Sequence, residues 1–482
     1  MAKRKKQKTK AVQPEQQRNY TAAQPSQYRK SISTSRSPDG VMDAARGKIR
    51  DIARYLDENH DLVIGILNEL VDKVIGPGLI VEPVAKDRSG QLASEFNTHV
   101  RNVMKRWYRR PDTTGETPGD ELDRLICRTW LRDGESFIRH VDGLKPVSSN
   151  IPYCIELIEP DYLPFEHCSA EPPIVHGIEK DGWGRPVAFH FYRNHPGNSV
   201  WPMVGLNGET RRVPADQVIH MKFTRRFRQT RGVSILHGVI SRLYDLMDYE
   251  ESERIAARVA ASLTAFIRRS PDVISDTPSS TDRTWNMDMG MIIDNLLPGE
   301  DIGTIGTDRP NIALETYRKG QLKAAASGVG ASYSSVARDY DGTYSSQRQE
   351  MVEANPGYAR LRSYFIESYK RPVIERAMML AISTGVIRVP RSVDQDTVMD
   401  VDIRGPGIPW IDPKKEIEAD GLAIQYGLKS RHQVIRERGG NPAQVDLELE
   451  SDDFERDNDE PQTQDQDESQ EDVDMNSEDQ AA

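Results

Sequence analysis

The chain is poor in cysteine: its 482 residues hold three, Cys127, Cys154 and Cys168. An odd number without CxxC spacing excludes a disulfide framework, argues against a zinc site and predicts a reducing compartment. Long apolar runs are also lacking. The best candidate, Leu62 to Ile75, is interrupted by Asn68, Glu69, Asp72 and Lys73, and falls short of the roughly 18 residues a membrane span requires. No apolar segment follows the basic N-terminus, so no secretion signal is expected. Catalytic signatures are missing as well. There is no GxxxxGK[ST], HExxH or GxSxG and no calcium loop; Asp339 and Asp341 bracket Tyr340, but Gly342 follows at once and the later oxygen ligands are absent. The expectation is a protein that is not an enzyme and has no catalytic residue, no cofactor and no metal.

Charge is plentiful but segregated. Residues 1–30 carry nine Lys/Arg against Glu15 alone, residues 450–482 carry 15 Asp/Glu against Arg456 alone, and the whole chain stands at −11. Neither end has an apolar pattern able to offset chain entropy, so residues 1–40 and 450–482 read as disordered tails, the first basic and the second acidic. At this length two to four structural regions are expected between them.

Helical spacing runs from Val41 to Ile75 and stops at Gly76-Pro77-Gly78; further helices are expected at Leu92–Tyr108 and Asp120–Asp133, the latter ended by Gly134. Residues 135–222 change period. Ser136–Val141, Tyr153–Ile158, Val187–Tyr192 and Val218–Phe223 read as strands between turns, giving an α+β region with antiparallel pairing. From Val233 to Arg269 the helical period returns without proline, and a helix of that span would be about 55 Å long, a strut or an interface. A helix at Ile312–Ser327, a Gly/Ser/Tyr loop at 328–344 and a further helix follow. Ser346 and Gln349 fit a capping box for that helix, and Asn355-Pro356-Gly357 is expected to break or kink it. Asp412-Pro413 opens a helix ended by Gly427, and Ser430 opens a short one closed by Gly439-Gly440.

One basic cluster stands out: Lys222, Arg225, Arg226, Arg228 and Arg231, with Phe223 and Phe227 interleaved and no acid. It suits a subunit interface or phosphate contacts, and the spacing does not choose between them. His220 and His237 lie on apolar elements and read as packed or surface histidines. The helices at 413–426 and 430–438 look superficially like a helix-turn-helix, but the second is only about two turns long and carries Glu437.

Several segments together resemble the lambda-like phage portal family. They are Gly177 to Phe189 (GIEKDGWGRPVAF), Arg212 to Met221 (RVPADQVIHM), Arg231 to Ser234 (RGVS), Leu297 to Glu300 (LPGE), Asp339 to Arg348 (DYDGTYSSQR), Ile411 to Glu416 (IDPKKE) and Gly427 to Ser430 (GLKS). Their order and spacing cover residues 41–449; the proline at 356 departs from the uninterrupted helix of the family. The resemblance implies an α+β portal fold with a wing of helices and antiparallel β, long stem helices, a clip and a small helical crown. It places the wing at 41–232, the stem helices at 233–327 flanking a clip at about 270–310, a channel loop at 328–344, a long wing helix at 345–384 and the crown at 385–449. It implies a homododecameric ring at one capsid vertex, a channel for DNA packaging and ejection, made in the host cytoplasm and carried in the virion. Implied partners are double-stranded DNA in transit, the terminase large subunit, and capsid and head–tail connector proteins, with no membrane. The residues expected at the channel or an interface are Arg225, Arg226, Arg228, Arg231, Ser332, Tyr333, Ser334 and Ser335. The alternative is a DNA-binding adaptor or regulator, or another packaging component.

Overall fold

Spacings of three and four lay down the N-terminal helices, and glycine or proline ends each one. The computed structural model describes residues 35–45, 47–197, 209–261, 265–269, 300–304, 313–405, 413–440 and 442–451. Most of both expected tails and nearly all of the expected clip therefore lie outside the described residues, as does Asp412. In chain order come α1 (Pro38–Ala45), α2 (Lys48–Asn59), α3 (Asp61–Val74), β1 (Ile80–Pro83), α4 (Ser94–Trp107), α5 (Gly119–Asp133), β2 (Glu135–Asp142), β3 (Tyr153–Ile158), β4 (Ile174–Val175), β5 (Ile178–Lys180), β6 (Pro186–Tyr192), β7 (Thr210–Pro214) and β8 (Val218–Lys222). Then follow α6 (Ile240–Ala261), β9 (Ala265–Arg269), β10 (Glu300–Thr304), α7 (Leu314–Val329), α8 (Tyr333–Ala337), α9 (Tyr344–Phe365), α10 (Arg371–Ser383), β11 (Val401–Arg404), α11 (Pro413–Gln425), α12 (Arg431–Glu437) and α13 (Pro442–Ser451). All strand pairing among the described residues is antiparallel: β3-β2-β8, β4-β5-β6-β7, β1-β11 and β9-β10.

The chain divides at Gly405 into two units. In the first, the apolar faces of α2 to α5 meet α9, α10 and the concealed face of β2 and β3 in one core that includes Leu67, Trp107, Trp130, Ile155, Phe365 and Ile374. A smaller cluster of Phe137, Phe189, Phe191, Val213 and Val218 joins β2 and β8 to the four-stranded sheet. Residues 385–404, expected in the crown, belong to this first unit: Ile387, Val393, Val401 and Ile403 enter its core and β11 pairs with β1. The second unit holds α11, α12 and α13.

Three expectations change. The helix predicted over 233–269 is shorter. A 3-10 turn at Ile235–Gly238 precedes α6, which spans 22 residues, and residues 265–269 form β9 against β10. At 1.5 Å per residue α6 is about 33 Å long. It runs antiparallel to α7, tied by Arg318–Glu250 (2.8 Å) and the Tyr249–Tyr317 ring pair. Pro356 does not break α9, and the cap is Thr343 rather than a box at Ser346. Pro356 lies on the solvent side, and the carbonyl it leaves unbonded, that of exposed Val352, can take water. The distortion comes instead near Pro372. Lacking an N–H and pressing on the carbonyl one turn back, it follows a π-helical turn at Ile366–Lys370.

That wide turn carries an ion pair into the core. Lys370 Nζ lies 2.6 Å from Asp123 Oδ2 and 3.6 Å from the centre of the Tyr108 ring, and the Tyr369 hydroxyl donates to Asp123 Oδ1 at 3.0 Å. Both charged side chains are fully buried. Burial pushes the Lys370 ammonium down, and Asp123 opposes the shift. Breaking such a pair on one side strands a charge and costs about 3–5 kcal/mol, whereas removing both partners in favour of apolar groups can be neutral. Lys370→Met or Asp123→Leu alone is therefore expected to destabilise the chain by about 3–5 kcal/mol in urea unfolding, and the double variant to recover most of the loss. Additive losses would show that the pair is not coupled.

Candidate functional site

The basic cluster lies on a loop between β8 and the turn that leads into α6. Its base is a close crossing of two backbone segments. Phe223 N–H donates to Gly134 O at 2.7 Å and Val233 N–H to Phe223 O at 3.1 Å. Gly134 has φ +89°, and a Cβ on it would meet the Val233 carbonyl carbon at 2.2 Å; a Cβ on Gly232 would meet Gly134 O at 2.0 Å. Only glycine fits at either position.

Below this crossing Arg231 is buried, with no exposed surface. Its Nε donates to both Glu135 oxygens at 2.8 and 3.0 Å, and its Nη2 stands 2.6 Å from Glu135 Oε1. The remaining N–H groups reach Leu163 O, His176 O and Pro160 O, and the guanidinium stacks 4.1 Å from the Phe165 ring centre. Glu135 also accepts from Gly232 N–H at 3.0 Å and faces His220 Nε2 at 3.0 Å. Burial alone would raise the Glu135 carboxyl, but Arg231 and His220 outweigh it and hold the group well below the usual carboxylate range. Arg231 was expected at a channel or an interface. Its donors are saturated inside one chain, so it cannot reach a phosphate. His220 is the packed histidine expected, stacked on Phe137 with ring centroids 4.4 Å apart.

Arg225, Arg226 and Arg228 are exposed, and Phe227 between them is 99% exposed. The loop is braced from beneath by buried Gln229, whose side chain accepts from the Arg225 and Arg226 N–H groups at 3.0 and 3.4 Å and donates to Arg231 O at 2.8 Å. Lys222 Nζ donates to Gln229 O at 2.9 Å, and Thr230 is pinned to Asp39 of α1 through its N–H (2.8 Å) and hydroxyl (2.6 Å). Arg225 stacks on Phe223 (5.0 Å), Arg226 Nη1 donates to Arg36 O at 3.0 Å, and Arg228 holds φ +60°.

The Ser/Tyr segment, expected as a loop, holds the short helix α8. Ser332 is buried and caps α8, and its hydroxyl donates to Glu350 at 2.8 Å; Ser334 N–H reaches the same carboxylate at 3.0 Å and the Ser334 hydroxyl bonds it too. Tyr333 donates to Asp339 at 2.7 Å, and Ser335 N–H donates to Ser332 Oγ at 3.4 Å. These polar groups are occupied within the chain. Asp339 also lies 3.4 Å from Lys319.

Among the described residues one trio, Glu159, Asp161 and His195, brings possible metal ligands within 4.8 Å of one another. Asp161 already pairs with Arg50 at 3.0 Å and Arg54 at 2.6 Å, so a cation there would face two guanidinium groups. Cys127 and Cys154 are buried free thiols and Cys168 is an exposed one. No helix among the described residues is long and apolar enough to cross a membrane.

A family model described as phage portal protein, lambda family, matches residues 24–362. Among curated proteins, a "Probable portal protein" of Halomonas phage phiHAP-1 is 26% identical over 419 residues, covering 84% of this chain and 79% of the relative. Among solved structures, a chain of the virion of a native gene transfer agent particle matches with a TM-score of 0.47 and 13% identity over 85% of this chain and all of that one. A chain from the neck of the native particle, computed with C12 symmetry, matches with a TM-score of 0.41 and 14% identity over 82% of this chain and 94% of that one.

Two predictions follow from the buried pair. Arg231→Ala, which strands Glu135, is expected to destabilise by about 3–5 kcal/mol, while Arg228→Ala changes stability by less than about 0.5 kcal/mol; urea unfolding measures both. The pH dependence has a definite sign. Burial lowers His220, and it pushes His140 down to about 4. Below about pH 6.5 the unfolded chain therefore takes up protons that the native chain refuses, and stability falls. Glu135, depressed in the native state, adds its own loss as pH drops below about 4.5. Urea midpoints should decline from pH 7.5 to 5, and Glu135→Gln should flatten the limb below about 4.5 while leaving a decline above it; a midpoint constant from pH 7.5 to 5 would contradict the assignment of neutral buried histidines.

Proposed function

We propose a function on one premise that the sequence match establishes: the chain belongs to the lambda family of phage portal proteins. That family is structural rather than enzymatic. The reading is a dodecameric ring at one capsid vertex, through which double-stranded DNA enters and leaves, with the terminase large subunit, capsid and head–tail connector proteins as docking partners. Residues 41–232 would form the wing, α6 and α7 the stem, and the second unit the crown.

The observation that supports assembly is the condition of the second unit. Of its side chains whose burial is described, none is buried. Ile417, Leu422, Tyr426 and Leu428 are exposed, the last two at 74% and 78%. The helices hold together through Arg438–Asp420 (2.9 Å), Lys429–Glu437 (2.7 Å), and Arg431 and His432 on Asp446 (2.9 and 3.0 Å). Exposed ion pairs of this kind contribute at most about 1 kcal/mol each, less than burial of a single leucine, about 1.5–3 kcal/mol. Short helices whose described side chains bury none of their apolar groups call for a partner surface, and neighbouring copies in a ring would supply one. A channel for a polyanion must also avoid strong phosphate contacts, whose counterion release would stall movement. A chain at −11 overall suits that requirement.

Purified protein should form closed rings in negatively stained micrographs and by native mass spectrometry, without hydrolysing ATP. Ile417→Asp combined with Leu428→Asp should weaken rings or loosen their C-terminal region to protease. A chain that stays monomeric at every concentration would reject the reading.

A further inference from the structure

The loop over residues 224–229 has the form of a plug. Phe227 stands at its tip, 99% exposed, with Arg225, Arg226 and Arg228 around it. Gln229, Lys222 and Thr230 brace it from beneath, so it is held out rather than free to fold back onto its own chain. A rigid aromatic flanked by arginines is the composition of an interface anchor.

The same unit offers a matching recess. A cavity of about 500 Å³ lies where the α2–α3 junction meets α6 and the start of α7; His60, Met247, Glu250, Glu253, Ala257 and Leu314 are among the residues lining it. His60 is buried, and its Nδ1 accepts the Leu62 N–H at 3.3 Å. Asp61 Oδ1 lies 3.3 Å from the same nitrogen, and Nε2 has no hydrogen-bond partner. Two arginines also border the recess. Arg318 is spoken for by Glu250 at 2.8 Å, leaving Arg254 as the one opposing charge. Glu251, one turn along α6 from Met247, stands at the rim of the recess, and Asp248, Asp245 and Ile255 are exposed further round the same helix. From Leu243 to Glu253 this helix has five acids and no base.

We propose that Phe227 of one copy enters this recess on the next copy, with Arg225, Arg226 and Arg228 set against the acids of α6, Glu251 at the rim and Asp248 beyond it. Because the plug is exposed on its own chain, the recess that it fills belongs to another. Plug and recess are different surfaces of one chain, so the contact is heterologous, the kind that closes a ring when repeated around an axis. A polar group of the inserted loop supplies the partner that His60 Nε2 lacks. This inference rests on the ring assembly proposed above and specifies one of its contacts. The alternative occupant, duplex DNA, fits less well, because a protruding phenylalanine has no exposed base to stack on in an intact helix.

The test is ring yield at limiting protein concentration, read by native mass spectrometry, with circular dichroism to verify folding. Phe227→Ala, and separately Arg225→Glu with Arg228→Glu, should each lower ring yield about tenfold or more while leaving the spectrum unchanged. Adding Asp248→Arg and Glu251→Arg to the charge-reversed loop should restore much of the yield. In a Cys168→Ser background, mixing Phe227→Cys chains with Met247→Cys chains should give a disulfide between copies on oxidation. Undiminished rings from Phe227→Ala, or assembled rings with no such crosslink, would overturn the contact. If rings persist and only salt-sensitive binding of duplex DNA falls, the loop is a nucleic-acid surface instead. A wild type that forms no ring removes the portal reading, and this contact with it.

Discussion

Glu135 and Arg231 are both out of water, and much of the first unit is arranged to make that tolerable. An unpaired ion in that position would lose several kcal/mol of hydration. The structure answers with two Arg231 donors on the carboxylate, three carbonyl acceptors for the rest of the guanidinium, and further donors from His220 and Gly232. Those partners come from β2, β8, the 160–163 turn, the approach to β5 and the loop itself. Saturating one buried pair thus fixes five segments relative to one another. It also explains why glycine stands at both 134 and 232: the backbones must cross closely for the pair to meet.

The second buried pair does for the helices what the first does for the sheets. Lys370 and Tyr369 are adjacent in sequence, yet both reach Asp123. The π-turn between α9 and α10 lets two successive side chains address one carboxylate. The apolar core around it would accept many helix registers with similar burial. A charge with a single place to go accepts far fewer, a role polar groups play in specifying one arrangement among several.

Much of this was legible along the chain. The strand at Tyr153–Ile158 has the bounds its alternation predicts, and α4, α5 and α7 sit within a few residues of their periodic patterns, because each meets the core through its own local face. What was not legible depends on residues far apart. Arg231 looks like Arg225, Arg226 and Arg228 in sequence; its acceptor lies 96 positions earlier, and no local pattern announces that. Ser332 and Ser334 read as neutral loop residues until Glu350 is brought to them by the fold of α9. Pro356 was weighed by its Asn and Gly neighbours rather than by exposure, and Pro372 carried no expectation. The first faces solvent and is harmless, while the second stands beside the buried ion pair, where the helix widens. The strut expected across 233–269 failed at its far end, where Ala265–Arg269 pairs with Glu300–Thr304 from across a long segment.

The two units differ in how they satisfy the same thermodynamic demand. The first buries large aromatics and pairs the ions deepest in its interior, Glu135 with Arg231 and Asp123 with Lys370. The second has helix caps and stops as good as any in the chain: Ser430 caps α12, and Gly427 takes the left-handed conformation after α11. Local signals of this kind define where helices begin and end, but they add only about 1 kcal/mol each and cannot replace a core. A segment whose described side chains include none that is buried draws stability from another surface, and in the ring proposed above the nearest such surface is its own repeated image. In that ring, assembly would complete the second unit as well as create the channel, since contacts covering Ile417, Leu422, Tyr426 and Leu428 would remove these side chains from water.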